Sequence, residues 1–416
     1  MHIIFLSDNF PPERNAAASR VYERACYWVR WGHRVTVITS APNFPEGKIY
    51  EGYCNRWYQV EIIDGIRVAR VKTFIARNEG VLLRALDFIS FMISAFWAGL
   101  VQPKPDVIVS TSPQFFTAVS GWTLSIFRRV PFVFELGDLW PASISAVEAI
   151  RHKFILRQLE RLELFLYQRS ALVVALTPAF KENLVRRGVP RQKVTVVING
   201  VDLNRYSPQP PDQTLLKKFG LVGCFVVGYL GTHGMAHALE RVLDAAELLQ
   251  DSPAVRFLFM GSGAAREAII TEATKRRLNN VVFVPAQPKE KMPSYWSICD
   301  VALVHLKNVP LFSTVIPSKI FEAMAMGVGI LLAAPEGEAS CIVREAGAGV
   351  VVPPEEPNCL AAAVRVLHRD KTSLARFRKN ALFFAPRFSR ESQAREMIIA
   401  LERVANPNKY TLLAKA

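Results

Sequence analysis

Cysteine is scarce and unpaired in this sequence. There are six cysteines in 416 residues, no two of them form a Cys-x-x-Cys pair, and no histidine cluster accompanies them. Zinc sites and the disulfide frameworks of small secreted domains both need cysteines at short, repeated spacings. The sequence therefore excludes both classes, and it predicts free, buried thiols in a reducing cytosol.

Long apolar runs are also missing. The opening stretch His2–Leu6 is followed at once by Ser7 and Asp8, so it is much shorter than the core of a secretory signal. The longest candidate, Phe88 to Gln102, is uncharged but shorter than the roughly 20 residues that cross a bilayer. We therefore expect neither a signal peptide nor a transmembrane helix, and we expect a cytoplasmic protein.

Several phosphate-site motifs are absent or incomplete. No Walker loop occurs, which excludes a P-loop triphosphatase. The Rossmann pattern Gly-x-Gly-x-x-Gly is absent after the first predicted strand, and Gly261-Ser262-Gly263 has Arg266 in place of the third glycine, so a simple tight turn remains an alternative there. No Asp-x-Asp pair is present. That pair supplies hard oxygen ligands for a divalent cation, so we expect a site without metal.

The composition is that of a folded, basic protein. Half of the residues are hydrophobic, a fifth are charged, and the formal net charge is +15. Such a charge favours phosphates, nucleic acid or an acidic membrane surface as partners. The excess is spread over both halves without a basic tail, which argues against a nucleic-acid-binding arm.

Apolar strands alternate with helical patterns along the chain, which is the βαβ arrangement of parallel sheets. In the first half we predict strands at 3–7, 34–40, 106–111, 131–135, 171–176 and 193–198, and helices at 16–31, 81–101, 113–128, 151–168 and 178–187. In the second half we predict strands at 224–230, 255–260, 281–284, 300–304, 328–333 and 349–352. Prolines near residue 208 separate the halves. We expect domains at 1–206 and 207–388, a helix at 389–405 returning to the first domain, and a tail at 406–416.

Two segments of the second domain carry the pattern of a phosphate and ribose site. The turn from Gly231 to His237 follows a strand, so its N–H groups can face a phosphate, although a capped glycine turn is the alternative. The segment Ile316–Gly327 places Glu322 in the first turns of a short helix, where a carboxylate can accept two bonds from a ribose diol. A capped helix with a solvated glutamate is the alternative interpretation.

The first domain offers one comparable turn, where Asp138 follows a predicted strand beside Trp140. Ligands of parallel α/β sheets bind at the carboxyl ends of strands. Asp138 is therefore a candidate acid or base, or else a residue that caps a turn.

These stretches together resemble the family 4 glycosyltransferases of the GT-B fold, and the resemblance covers nearly the whole chain. Segments at Asn9–Pro12, Gly32–Thr39, Asp138–Pro141, Gly231–His237 and Ile316–Lys319 are similar to the WbuB-like subgroup of surface-polysaccharide transferases. The resemblance implies an α/β fold with two Rossmann-like, doubly wound domains facing a cleft. It also implies retaining transfer of an amino-deoxyhexose such as N-acetyl-fucosamine from a nucleotide-sugar, with a UDP-sugar as the expected donor.

The sites follow from the same resemblance. The donor is expected on loops 231–237, 261–263, 284–288 and 314–322, and the acceptor on loops 9–20 and 138–145. Expected catalytic residues are Asp138, His237, Lys319 and Glu322. Expected donor-binding residues are Gly231, Thr232, His233, Gly234, Gly261, Gly263, Pro285, Thr314, Ser318 and Glu322. No metal, no cofactor beyond the substrate and no nucleic acid are expected.

The sequence departs from the family at three places. The first glutamate of the family's paired motif falls at Thr314, and the Arg and Lys of its diphosphate turn fall at Thr232 and His237. Lys319 is then the replacement cation, with His237 as a further phosphate donor. Gly137 and Ala142 replace residues that flank the Asp-Leu-Trp-Pro motif in the subgroup. Two alternatives remain, a GT-B nucleotide-sugar 2-epimerase and a non-catalytic sugar-nucleotide-binding subunit.

The expected acceptor is a lipid-linked glycan at the inner face of the cytoplasmic membrane. Ten apolar residues between Leu82 and Trp97 crowd one predicted helix. Basic residues flank this stretch at Arg77, Arg84, Arg128, Arg129, Arg151, Lys153 and Arg157. Such a surface can lie on an anionic membrane without spanning it, although a buried crossover helix has the same composition.

Overall fold

A computed structural model describes residues 1–13, 15–44, 46–75, 81–112, 116–139 and 152–407. The chain forms two compact units, one from Met1–Asn199 with Arg390–Ala416 and the other from Gly200–Ser389. Val201 forms a parallel bridge with Ser389, and its N–H donates to the Phe388 carbonyl at 2.9 Å. This pairing places residues 200–206 in the second unit.

The first unit is built on one twisted sheet. Its strands are β1 (His2–Leu6), β2 (Arg34–Ser40), β3 (Tyr58–Ile63), β4 (Ile66–Val71), β5 (Val107–Thr111), β6 (Phe132–Leu136), β7 (Leu172–Ala175) and β8 (Val194–Val196). Their order is β3-β4-β2-β1-β5-β6-β7-β8, and every neighbouring pair except β3–β4 is parallel. The helices are α1 (Ala16–Arg30), α2 (Val81–Leu100), α3 (Phe116–Arg128), α4 (Lys153–Arg169) and α5 (Pro178–Arg186). The six predicted strands and five predicted helices are confirmed within a few residues.

The hairpin β3–β4 was not predicted. Its two strands are antiparallel and meet at Asp64 and Gly65, both of which have positive φ. An Asp-Gly pair with this backbone is the preferred two-residue hairpin turn, so the sequence did contain the signal. The apolar residues Tyr58, Val60 and Ile62 lie on the exposed face of β3, which reverses the usual pattern of apolar residues facing the core.

The second unit has the strand order of a dinucleotide-binding fold. Its strands are β9 (Phe225–Leu230), β10 (Val255–Gly261), β11 (Val281–Pro285), β12 (Val301–His305), β13 (Gly329–Ala333) and β14 (Gly349–Val352). The order β11-β10-β9-β12-β13-β14 is parallel throughout the described strands. The chain reverses its direction of winding between β9 and β12, and ligands of such sheets bind at this switch point.

The helices of the second unit cover both faces of its sheet. They are α6 (Gln213–Lys218), α7 (Leu239–Glu247), α8 (Arg266–Lys275), α9 (Met292–Ser297), α10 (Lys319–Ala325), α11 (Glu338–Glu345), α12 (Pro357–Arg369) and α13 (Lys371–Phe384). One core cluster joins α7, α8 and α12 to the buried strands, with Leu243, Ile269 and Val364 among its members. Burial of these aliphatic side chains stabilises the sheet whose carboxyl edge carries the loops of the switch point.

The last helix, α14 (Arg390–Ala405), belongs to the first unit. The Trp28 indole N–H donates to the Ala394 carbonyl at 2.9 Å, and Met397 and Leu401 enter the same core as Trp28. The Arg390 guanidinium donates to Glu23 at 2.6 Å in a buried ion pair. These contacts attach the end of the chain to α1.

Helix α2 is exposed along an apolar stripe. Leu86, Ile89, Ile93, Trp97 and Val101 are 37–69% exposed and recur every three or four residues, on the face opposite the buried Phe91 and Ala95. By length and composition alone the segment Leu83–Leu100 could cross a membrane, and 22% of it is buried. We expected no segment long enough to span a bilayer, and this expectation is wrong. The helix is longer than the uncharged stretch that begins at Phe88, because it also includes Arg84 and Asp87. The same test is met by helices that pack on a sheet, and α2 contacts β2, β4 and α3.

The six thiols are free, but most of them are not buried. Only Cys299 is fully buried, whereas Cys54, Cys341 and Cys359 are exposed. The expectation of burial was wrong because these three lie in a loop and on the outer faces of α11 and α12.

Candidate functional site

Two glycine turns are joined edge to edge at the carboxyl ends of β9 and β10. The N–H of Gly231 donates to the Met260 carbonyl and that of His233 to the Ser262 carbonyl, both at 2.8 Å. A Cβ on Gly261 would lie 1.8 Å from the Gly231 oxygen. The glycines predicted to cradle a phosphate are thus required first for this close approach of two backbones.

Lys319, the first residue of α10, is an unpaired buried cation at the switch point. Its side chain is 8% exposed, and its Nζ lies 3.5 Å from the centre of the Tyr229 ring. That nitrogen has no hydrogen-bond partner among the described residues. Burial lowers the pKa of Lys319 to about 7, although Glu322 favours the charged form. A buried ammonium without an anion is costly, so this position suits a ligand that brings negative charge.

The ammonium faces the turn that was predicted to hold a phosphate. A Cβ built on Gly231 would lie 3.2 Å from Lys319 Nζ, so the absence of a side chain keeps the space above the turn open. Gly231 has φ of +138°, which glycine adopts without strain. The structure therefore brings Gly231 and Lys319 together. Helix α10 has only seven residues, so the cation itself, rather than the helix start, is the anion-attracting feature.

Glu322 lies one turn beyond Lys319 and is half-buried. The indole N–H of Trp296, on α9, donates to Glu322 Oε2 at 3.3 Å and holds the carboxylate in place. Ser318 is the residue before the helix and is half-buried. The hydroxyl of Thr314 donates to the Leu311 carbonyl at 2.6 Å, within the turn Pro310–Thr314. Thr314 is therefore committed to its own turn rather than to the charge that a glutamate would supply.

The Nδ1 hydrogen of His237, which the sequence suggested as a phosphate donor, is already used within the protein. The Nδ1 atom lies 3.1 Å from the His305 carbonyl oxygen, which only accepts, so Nδ1 carries the hydrogen. Burial, with the nearby Lys319, lowers the pKa of His237 to about 3. The ring is neutral at physiological pH, and its Nε2 presents a lone pair instead of a hydrogen.

His233 was predicted to bind the donor, but its side chain belongs to the core. The ring is 0% exposed and lies between Tyr229 and Phe259, with centroid distances of 5.7 and 6.2 Å. Burial, with Arg266 and Lys319 nearby, lowers its pKa to about 4. Only the backbone of His233 remains at the turn, where its carbonyl accepts from the Ala265 N–H at 2.9 Å.

The other predicted donor residues lie on the same edge of the sheet. Thr232 is exposed and Gly234 half-buried in the turn after β9, and Gly263 is exposed in the turn after β10. Pro285 is exposed at the end of β11. These residues thus lie at the same edge of the sheet as the turn that Lys319 faces.

Several residues of this site were missed from the sequence. Tyr229 and Trp296 orient Lys319 and Glu322, and His305 fixes the ring of His237. Arg266 begins α8 next to His233, and its Nη1 is buried without a partner in the described part of the chain. The sequence did show Arg266 at the position of the third glycine, and this could have indicated a second cation at the site.

In the first unit, Asp138 is half-buried just after β6. Glu135, in the same segment, is fully buried and pairs with Arg24 and Arg20. Burial disfavours its charge, but the two arginines outweigh it and lower the pKa of Glu135 to about 2. A Cβ on Gly137 would lie 2.9 Å from Arg20 Nη2. Residues 140–145 of the expected acceptor loop lie outside the described residues.

Two families match this chain in succession. Residues 15–200 match the family described as "Glycosyl transferase 4-like domain", and residues 217–382 match "Glycosyl transferases group 1".

In the described part of the chain no group of three His, Cys, Asp or Glu side chains could hold a metal ion.

Individual proteins agree with these families. The glycosyl transferase WcaI of Escherichia coli (strain K12), named for colanic acid biosynthesis, is 24% identical over 88% of this chain and 91% of its own. TuaH of Bacillus subtilis (strain 168), named for teichuronic acid biosynthesis, is 28% identical over 49% and 50%. The crystal structure of Anabaena HepE in complex with UDP-glucose has a TM-score of 0.73 at 21% identity, over 97% of this chain and 99% of that one.

The strand orders, the switch-point site and the matched structures define an α/β protein of the GT-B glycosyltransferase fold. The chain thus carries a glycosyl transferase 4-like domain at residues 15–200, followed by a group 1 glycosyl transferase domain at residues 217–382.

Proposed function

We propose that this protein is a retaining, metal-independent transferase that takes a sugar from a nucleoside diphosphate donor, a UDP-sugar in the first instance. The observation that carries the donor site is Lys319, a buried ammonium without an acceptor that faces Gly231 at the switch point. A diphosphate supplies the missing negative charge. The complex of HepE with UDP-glucose supports this choice of donor.

The same charge accounts for catalysis. When the bond between the sugar and the diphosphate breaks, negative charge grows on the leaving phosphate, and a fixed cation stabilises that charge more than it stabilises the ground state. Lys319 supplies this cation, and Arg266 supplies a second one near the neighbouring turn. Glu322, held by Trp296, accepts the ribose hydroxyls. Either Asp138 or the departing phosphate takes the proton of the acceptor hydroxyl.

The proposed product is a surface polysaccharide, built on a lipid-linked glycan at the inner face of the cytoplasmic membrane. The names of WcaI and TuaH support a polysaccharide. The exposed stripe of α2 supports a lipid-linked acceptor, because an enzyme that works on such a substrate gains by lying on the bilayer. The sugar proposed first is an amino-deoxyhexose such as N-acetyl-fucosamine.

A melting-shift screen with UDP, GDP, TDP and ADP tests the donor proposal. A ligand at 100 times its Kd stabilises the folded state by about 2.7 kcal/mol. We expect one nucleotide, UDP first, to raise Tm clearly above the others. If none of the four changes Tm at millimolar concentration, the site does not bind nucleoside diphosphates and the proposal fails.

A further inference from the structure

His237 and His305 hold each other in one tautomer. His237 Nδ1–H donates to the His305 carbonyl at 3.1 Å, and His305 Nδ1–H donates to the His237 carbonyl at 2.7 Å. Because a carbonyl oxygen can only accept, the hydrogen of each ring is on Nδ1. The Nε2 of His305 in turn accepts from the Glu355 N–H at 3.4 Å. This reciprocal pair ties the turn after β9 to the end of β12.

The remaining ring nitrogen of His237 is an acceptor beside the donor site. The side chain is half-buried, and Nε2 has no hydrogen-bond partner in the described residues, whereas both nitrogens of His305 are engaged. The ring of His237 lies 5.9 Å from that of Tyr229, which in turn lies under Lys319 Nζ. His237 is thus a neighbour of the cation assigned to the diphosphate.

Burial keeps the His237 ring neutral, and Lys319 on α10 adds repulsion toward a further proton. The other ionisable groups that face the ring are His233 in its own turn and His305 on β12, and burial lowers the pKa of both, so they are neutral as well. Protonation of Nε2 would also place two cations side by side in a buried site. The nitrogen therefore presents a lone pair in the free protein.

An unprotonated nitrogen selects the chemical group that it contacts. The oxygens of an ionised diphosphate carry no hydrogen, so they and Nε2 would present lone pairs to each other. A hydroxyl has a hydrogen to donate. We propose that His237 Nε2 accepts a hydrogen bond from a hydroxyl of the donor sugar, and that His305 is the positioning residue that fixes this polarity.

The proposal rests on the nucleotide-sugar site described above. Of the hydroxyls that a nucleotide-sugar offers, those of the ribose are assigned to Glu322, which leaves those of the transferred sugar. His237 would then distinguish sugars that present a hydroxyl at this position from analogues that are deoxygenated or fluorinated there. A fluorine accepts but does not donate, so it cannot replace the hydroxyl.

Two substitutions separate the proposed role from a structural one. In His237→Asn the amide nitrogen can still donate to the His305 carbonyl, but nothing replaces Nε2. In His237→Gln the longer side chain can return an amide oxygen to about the position of Nε2. His368→Asn is the matched control, because His368 stacks on Phe225 at the opposite end of β9.

Binding is measured by calorimetry with two probes, UDP and UDP-glucose, or GDP and GDP-mannose if the melting screen selects guanine. A neutral hydrogen bond and the group left unpaired by its loss together predict about tenfold weaker binding of the nucleotide-sugar to His237→Asn. Binding of the nucleoside diphosphate should change less than twofold. His237→Gln should recover most of the loss, and His368→Asn should match the wild type.

The result that overturns the proposal is an equal loss for both probes, because His237 would then contact the nucleotide or its phosphates. No loss for either probe in a folded His237→Asn variant overturns it as well. Failure of the wild type to bind any nucleotide would instead refute the proposed function. Nitrogen-15 spectra of the seven histidines provide a second measurement. The signals lost in His237→Asn must show hydrogen on Nδ1 and a bare Nε2, and the reverse pattern contradicts the proposal.

Discussion

A buried lysine without an acceptor makes donor binding sensitive to pH. Burial lowers the pKa of Lys319 to about 7. The side chain is therefore mostly protonated below pH 7 and loses its proton as the pH rises above 7. The pKa values of His233 and His237 are lowered to about 4 and 3, so these rings are neutral throughout that range. We therefore expect affinity for a nucleotide-sugar to fall by up to about tenfold per pH unit above pH 7.

Calorimetry between pH 6 and 9 measures this dependence directly, and a nucleotide-sugar is the right probe because its diphosphate does not titrate there. Lys319→Arg, which keeps its charge, should bind with little change over the same range. Identical pH profiles for the wild type and this variant would rule out titration of Lys319 as the cause.

Glu322→Gln should weaken donor binding by about tenfold to a hundredfold. The carboxylate is held by Trp296, and a hydrogen bond to a charged group contributes about 1.5–3 kcal/mol. The measurement is nucleotide affinity. Glu345→Gln serves as the control, because it removes an exposed carboxylate on α11 whose ion pair with Arg387 contributes little. Wild-type affinity in a folded Glu322→Gln protein would remove Glu322 from the ribose site.

Residue spacing predicted some of this site and missed the rest for a physical reason. Gly231, Lys319 and Glu322 follow strand ends, so sequence order alone places them at one edge of the sheet. His305 and Arg266 also follow strand ends, but nothing in the sequence shows that His305 fixes the tautomer of His237. The burial of the His233 ring could not be predicted either, because it depends on packing against Phe259 from the neighbouring strand.

At the scale of single elements, α2 exposes an apolar stripe to solvent. Its exposed stripe continues onto α3, where Ile126 and Phe127 are 55% and 69% exposed and the Phe127 ring packs 5.3 Å from Phe96. Of the basic residues expected near this surface, Arg84, Arg129 and Arg157 are exposed. Arg128 donates to the Leu100 and Gln102 carbonyls at the end of α2. Arg77 and Arg151, also expected there, lie outside the described residues. This combination favours a helix that lies in the interface of an anionic membrane.

Vesicle flotation tests the membrane proposal. We expect binding to vesicles that contain anionic lipid, weaker binding to neutral vesicles, and loss of binding at high salt because exposed charges are screened. Ile93→Glu with Trp97→Glu should abolish flotation. Val366→Glu, at a residue that is 60% exposed on α12, should not change it. Equal flotation of all three proteins would exclude α2 as the attachment surface.

Elements were easier to predict than their exposure. The buried strands were recognised because each is a short, nearly continuous apolar run between turns, whereas β3 alternates apolar and polar residues beside an Asp-Gly turn. Helix α2 was equally consistent with burial and exposure, since apolar residues occupy most of its faces. Which face contacts the sheet is decided by tertiary packing.

At the scale of the whole molecule, the proposed chemistry uses side-chain cations in place of a metal. The sequence has no Asp-x-Asp pair, and Lys319 and Arg266 offer positive charge at the donor turns. Transfer activity should therefore survive dialysis against EDTA with less than a twofold change. Loss of turnover that only magnesium or manganese restores would contradict this mechanism.

The two-domain organisation was readable from the sequence because the βαβ pattern restarts after the prolines near residue 208. The boundary between the two units at Asn199 could not be predicted from the sequence. It depends on the pairing of Val201 with Ser389, almost two hundred residues away in the chain. The attachment of α14 to Trp28 is equally remote in sequence. Contacts of this kind leave no local pattern.

In the proposed function, Lys319 stays buried and unpaired so that its ammonium can bind a diphosphate. The most direct measurement is the Tm of Lys319→Met with and without the nucleotide selected by the screen, compared with Lys379→Met on the exposed face of α13. Replacing a buried charge by an apolar side chain of similar size should stabilise the free protein by about 1–4 kcal/mol. We expect this higher Tm together with loss of the nucleotide-induced shift, in Lys319→Met alone. A Lys319→Met protein that is no more stable than the wild type and still gains the full shift from nucleotide would contradict this role of Lys319.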